Sequence, residues 1–207
     1  MTDPVPTPRN LSRRTMLRSL MLTAAIVPLA ACGAKEDTLT AQANNGDGKN
    51  YIAGDGAVQE YVASKRSEPV EITATTYHGT DVDFSKWEGK PVVMNFWYAA
   101  CAPCRIEAPD LKKLANKFGD KVEFIGVNVR DEAEAAKAFE RTFDLPYESI
   151  QDTSGDIQLA MTKYVPLQAV PSTLVLDRKG RVRARVIGAA DPGTLKSLID
   201  TALTEEL

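Results

Sequence analysis

VVMNFWYAACAPCRIEAPDL, residues 92–111, joins a strand to a helix through a pair of cysteines. Val92, Val93 and Met94 begin an apolar run that Phe96 and Trp97 continue, which is the composition of a central strand buried on both faces. After Cys104 the pattern turns helical, with Ala108, Leu111, Leu114, Ala115 and Phe118 at helical spacing. Cys101 and Cys104 therefore fall at the start of a helix, three residues apart, close enough to close a small disulfide ring.

That position separates the two sulfurs chemically. Unpaired backbone N–H groups and the positive end of the helix dipole favour a thiolate at Cys101. Cys104, one turn further on, is expected to face the core and be shielded. Cys101 is thus read as the attacking sulfur and Cys104 as the one that resolves the mixed disulfide. Pro103 restricts the backbone where no N–H donor is needed. The competing readings of the pair are half of a zinc site and a static disulfide. Zinc needs two further ligands, and the chain has three cysteines and one histidine, His78, far from the pair in sequence. His78 is taken as incidental to the chemistry.

Glu107 lies three residues after Cys104 and shares its helical face. A carboxylate there would be partly desolvated. Its charge would oppose a nearby thiolate, or it would take the proton that Cys104 must lose. The alternative is a surface glutamate on a first helical turn, favourable to the dipole. Arg105 either screens Cys101, pairs with a substrate carboxylate, or is simply solvated.

Outward from this stretch, residues 70–77 read as a strand, 78–81 as a turn and 82–84 as a short return strand. A second apolar strand is expected over 122–129, a helix over 132–143, a short strand over 146–150 and a helix over 156–164. A strand over 172–176, a turn at 177–180, a strand over 182–187 and a closing helix over 192–203 complete the chain. The β-α-β then β-β-α order predicts an α/β sandwich with a mixed sheet.

The 207 residues suit one domain with additions, and 28 acidic against 25 basic side chains leave no basic stripe for nucleic acid. Residues 1–31 read as an export signal: Arg9, Arg13, Arg14 and Arg18 precede a modest apolar region. Ser12-Arg13-Arg14-Thr15-Met16 resembles a twin-arginine signal, and Leu29-Ala30-Ala31-Cys32 resembles a bacterial lipobox. On that reading Cys32 carries a lipid that holds the protein at the membrane's outer face, where disulfides persist. A Sec signal with a chance cysteine and an uncleaved anchor helix are the other readings. Residues 32–68 read as a polar, flexible tether with a weak helical patch at 58–63, and 69–207 as the folded domain.

The combination of Phe96-Trp97, Cys101-Ala102-Pro103-Cys104, Pro109 and Val170-Pro171-Ser172-Thr173 resembles the thioredoxin superfamily, specifically its TlpA/ResA-like membrane-tethered members. The resemblance covers about residues 68–205. It implies a thioredoxin-like three-layer sandwich, with a mixed β-sheet flanked by helices. It implies that Pro171 is cis and lies against the disulfide, and that Val170 offers backbone groups to a substrate strand. Trp97, Ala102 and Pro103 complete the expected substrate-contacting set. ResA-like proteins carry a functional glutamate at the place of Glu107. Thioredoxin has a buried aspartate where this chain has Asn95, read here as a structural hydrogen-bonding residue. Ala100 departs from the family, which usually has Trp there. Pro171 read without the resemblance would simply mark a strand start.

No group in Ala102-Pro103 strongly stabilises a thiolate, so the pair is expected to be reducing. The resulting expectation is an extracytoplasmic disulfide reductase working without cofactor or metal. It would act as a monomer on exported protein disulfides, be recharged by a membrane thiol donor, and have apocytochrome c as the substrate the resemblance suggests. A disulfide-forming oxidase is the main alternative. A peroxiredoxin would have Pro and Thr or Ser where Met94 and Tyr98 stand, and a copper chaperone of the Sco type would need a histidine after His78.

Overall fold

The computed structural model describes residues 57–206. The signal, the lipobox with Cys32 and most of the tether lie outside the described residues. Eight strands are described: β1 (Val58–Glu60), β2 (Thr73–Thr75), β3 (Asp81–Asp83), β4 (Val92–Trp97), β5 (Glu123–Asn128), β6 (Ser149–Gln151), β7 (Ser172–Leu176) and β8 (Val182–Ile187). The α-helices are α1 (Ala102–Phe118), α2 (Ala133–Phe143), α3 (Asp156–Ala160) and α4 (Pro192–Thr204). Six strands form a mixed sheet in the order β1-β8-β7-β4-β5-β6, with β4, β5 and β6 parallel and β7 antiparallel to β4. β2 and β3 form a separate hairpin, tied to β6 by the bridge Thr76–Ile150.

The alternation of β4 divides the core. Met94 and Phe96 face a layer built from Val70, Ile72, Phe84 and the turn after α3. Val93 faces α1 and α4, where Leu111, Leu114, Leu195 and Ile199 pack. Asn95 and Trp97 follow Val93 on that side at period two, so the one polar residue of the central strand points at the helix that carries the cysteines. The fold is the expected α/β arrangement of a mixed sheet flanked by helices, its second face shared between α3 and the β2–β3 hairpin.

Two segments differ from the sequence expectation. Residues 58–68, read as tether with a helical patch, contribute edge strand β1, which pairs with β8 in the register Val58–Val186. Arg66 then anchors the segment through a buried ion pair to Asp177 at 2.9 Å and a half-buried one to Glu205 at 2.7 Å. The hydrogen bonds and charges that order this segment come from residues 111 and 139 positions away, which local periodicity cannot report. The expected strand over 70–77 is ladder-paired only at Thr73–Thr75.

Candidate active site

β4 ends at Trp97, and Tyr98 to Cys101 turn the chain into α1, the Cys101 N–H donating to the Tyr98 carbonyl at 3.1 Å. Cys101 is the N-cap of α1: its Sγ accepts the Cys104 N–H at 3.2 Å, and its carbonyl accepts the Arg105 N–H. The capping position is occupied by sulfur where oxygen is usual. Cys101 and Cys104 are joined as a disulfide.

Exposure does not separate the two cysteines as expected. Cys101 is 3% exposed and Cys104 2%. The asymmetry rests on Cys101 capping the helix, while the exposed residues of the turn are Ala100, Ala102 and Pro103. Ala102 and Pro103 thus form the exposed surface of the turn beside the disulfide. Val170 is half-buried and packs in the same cluster as both cysteines. The Val170–Pro171 peptide is cis, and Pro171 is buried at the start of β7.

Trp97 is a correction to the expected substrate-contacting set. It is 2% exposed and stacks on Phe139 of α2, with ring centroids 4.2 Å apart. Its indole N–H donates to Ser149 Oγ at 3.1 Å. It stiffens the platform under the turn and has no face left for a partner.

Glu107 is buried at 3% exposure on the inward face of α1. Its Oε1 accepts the Asn95 amide at 2.9 Å and its Oε2 accepts the Ala190 N–H at 2.9 Å. The same Asn95 amide donates to Thr173 Oγ1 at 3.1 Å. Burial pushes the Glu107 carboxyl up from 4.5 to about 7, against the Ala190 and Asn95 hydrogen bonds, which pull it down. Among the described residues two donors and no cation compensate the charge, which leaves the carboxyl poised near neutrality. Asn95 is a structural hydrogen-bonding residue, as expected, and the structure makes Glu107 and Thr173 its partners.

Other residues shaping the turn gave no clear sequence signal. Asn128, at the end of β5, accepts the N–H groups of Arg130 and Asp131 on Oδ1, at 3.1 and 2.8 Å. Its amide donates to Asp131 Oδ2 at 2.8 Å, and that oxygen also accepts the Ala99 N–H at 2.5 Å. Tyr77 donates its hydroxyl to the Asp131 carbonyl at 2.6 Å. The Asn-x-x-Asp spacing after a strand is the one available cue, since such side chains close turns on nearby backbone. Arg105 donates to the Ala99 carbonyl at 3.3 Å and lies over the Phe143 ring. His78 is not brought to the cysteines; its Nε2 lies 2.8 Å from Glu140 Oε2 on α2. Among the described residues no group of three or more His, Cys, Asp or Glu is placed to hold a metal ion.

The chain thus combines a buried, helix-capping disulfide with a cis peptide at the start of β7. A family model described as Redoxin matches residues 63–203. The chain belongs to the Redoxin family. Thiol:disulfide interchange protein HelX of Rhodobacter capsulatus is 29% identical over 147 residues, which is 71% of this chain and 80% of that protein. Thiol-disulfide oxidoreductase ResA of Bacillus cereus is 29% identical over 122 residues, 58% of this chain and 68% of that one. The structure of a secreted thiol-disulfide isomerase from Corynebacterium glutamicum is 26% identical, with a TM-score of 0.68 over 75% of this chain and 98% of that one. This Redoxin chain is a thiol-disulfide oxidoreductase of the thioredoxin superfamily. Among its described residues no helix is long and apolar enough to cross a membrane.

Proposed function

We propose that the protein reduces disulfides in exported proteins, cycling Cys101 and Cys104 between dithiol and disulfide. The observation that carries the direction is the buried Glu107 on the Cys104 face of α1, with no cation among the described residues bonded to it. Its negative charge disfavours thiolates in the reduced form. A dithiol that is poorly stabilised as thiolate gives up its electrons more readily.

In the reduced protein the Cys101 thiolate attacks one sulfur of a partner disulfide. The partner's S–S bond breaks, a mixed disulfide with Cys101 forms, and one partner thiolate leaves and takes a proton. The Cys104 thiol then passes its proton to the Glu107 carboxylate, and the Cys104 thiolate attacks Cys101 Sγ. The second partner thiolate leaves and is protonated. Two electrons have moved from the protein dithiol to the partner, and the Cys101–Cys104 disulfide remains. A membrane-bound dithiol donor returns the two electrons by the same exchange run in reverse. Ala102, Pro103 and the backbone of Val170 form the surface a partner strand would meet.

The export and lipid signatures support an extracytoplasmic protein held at the cell membrane through Cys32. The HelX and ResA relationships support apocytochrome c as the partner, its haem-attachment cysteines being a disulfide that must be opened. The midpoint potential tests the direction. A value near the thioredoxin range, about −270 mV, is expected; one near about −120 mV, the range of strong disulfide oxidants, would make the protein an oxidase.

A further inference from the structure

The backbone of Ala99, two residues before Cys101, is held at both ends. Its N–H donates to Asp131 Oδ2 at 2.5 Å and its carbonyl accepts from Arg105 at 3.3 Å. Asp131 is itself fixed from three directions. Asn128 donates its amide to the same Oδ2 and accepts the Asp131 N–H, each at 2.8 Å, and the Tyr77 hydroxyl donates to the Asp131 carbonyl at 2.6 Å. Asn128 is fully buried in β5, directly beside Trp97 in the parallel register with β4. Tyr77 belongs to the cluster that packs around both cysteines. A rigid strand end therefore grips the loop that sets where Cys101 Sγ lies beneath the first N–H groups of α1.

We propose that Asp131, held by Asn128 and Tyr77, is a positioning residue that keeps Cys101 in register with the N-terminus of α1 and so sustains its thiolate. It touches neither sulfur and acts through the Ala99 backbone. The role rests on Cys101 being the attacking sulfur. It explains how the turn is tethered in a chain that has Ala100 where the family usually has Trp: a backbone N–H, which every residue but proline supplies, is the group that is gripped.

Geometry and charge predict opposite signs here. If Asp131 acts by position, Asp131→Ala frees the loop and weakens the N–H cradle, so the Cys101 thiol pKa rises. If Asp131 acted only by its charge, removing it would lower that pKa in both Asp131→Ala and Asp131→Asn. Asparagine keeps an oxygen able to accept from both Ala99 and Asn128.

The experiment is the pH dependence of Cys101 alkylation by iodoacetamide in the reduced full-length protein, read residue by residue by mass spectrometry. The expected result is a roughly three- to tenfold fall in the thiolate fraction at pH 7 for Asp131→Ala, the scale of losing helix N-terminal donors. Asp131→Asn is expected to restore the wild-type profile. Tyr77→Phe, which leaves Asp131 in place, should move the profile the same way by less, and covers the case in which Asp131→Ala does not fold. A lowered pKa in both Asp131 variants, or an unmoved profile in Tyr77→Phe and Asp131→Ala, overturns the role. Two failures are distinguishable. A wild-type Cys101 no more reactive than Cys104 overturns the assignment of the attacking sulfur and this role with it. A reactive wild-type Cys101 that ignores every variant overturns this role alone.

Discussion

Replacing Glu107 by glutamine separates its charge from its shape. Both carboxylate oxygens accept from N–H donors, Asn95 on one side and Ala190 on the other. Glutamine offers one oxygen and one amide. It fits if its oxygen faces Ala190 and Asn95 turns its own amide over, presenting oxygen to the introduced amide and to the Thr173 hydroxyl, which then donates. The packing survives and the titration is gone. In the wild-type protein the carboxyl titrates near pH 7 when folded and near 4.5 when unfolded, burial being the cause. Between those values the folded state holds a proton that the unfolded state has lost, so stability falls as pH rises through the window. The displacement corresponds to about 3 kcal/mol once the window is crossed. The stability of Glu107→Gln relative to wild type, both oxidised, should therefore climb by about that amount between pH 4 and pH 8 in denaturant melts. Resolution should change the other way. A mixed disulfide at Cys101 should be resolved by Cys104 about a hundredfold more slowly in Glu107→Gln, and the wild-type rise in rate through pH 7 should disappear. An unchanged rate and an inflection that persists in the variant would refute the proton-transfer role. A flat stability difference would refute the buried-charge argument.

Three further outcomes follow from the packing. Gly126 admits no side chain: a Cβ there would lie 2.2 Å from Ser149 Oγ and 2.7 Å from the Trp97 indole nitrogen. Gly126→Ala should break the Trp97–Ser149 hydrogen bond and cost about 1–3 kcal/mol or more in urea melts, and an unchanged midpoint would contradict the packing described. Arg66→Ala removes one of two cationic partners from the buried Asp177 and from the half-buried Glu205, leaving Arg181 and Arg183, and should cost about 2 kcal/mol, with faster proteolysis between β1 and β2. Burial pushes the Asp177 carboxyl up, but the N–H groups of Arg181 and Lys179 and the guanidinium groups of Arg66 and Arg181 outweigh it and hold it below the usual range. The stability it provides should be complete above about pH 4 and lost on acidification through its lower folded value, a loss that Asp177→Asn should not show.

The central strand, the cysteine helix and the closing hairpin were legible because each carries its own period and its own turn residues. The inward face of Glu107 was legible from its three-residue step after Cys104 on α1, but that it bonds Asn95 of β4 is known only from the structure. Other features depended on what lies opposite in space. Val58–Glu60 is a strand because β8 presents an open edge, and Arg66 is ordered by acids 111 and 139 residues away. Trp97 entered the expected substrate-contacting set with the family resemblance. Its position on the helix side of the strand, against Phe139, buries it instead. Asp131 lies in the turn just after β5, a neighbouring parallel strand, and only the sheet order brings it to Ala99. The near-equal burial of the two cysteines follows from the clustering of Tyr77, Trp97, Phe139 and Val170 around the turn, which helix position alone does not report.

The central claim is that Cys101 attacks a partner disulfide and Cys104 resolves the adduct. Its most direct test is to reduce Cys104→Ser and Cys101→Ser proteins, mix each with an oxidised peptide carrying a Cys-x-x-Cys-His disulfide, quench with acid and measure intact masses. Cys104→Ser should accumulate one peptide adduct, mapped to Cys101, while Cys101→Ser accumulates little or none. Adducts on Cys101→Ser with none on Cys104→Ser would reverse the assignment.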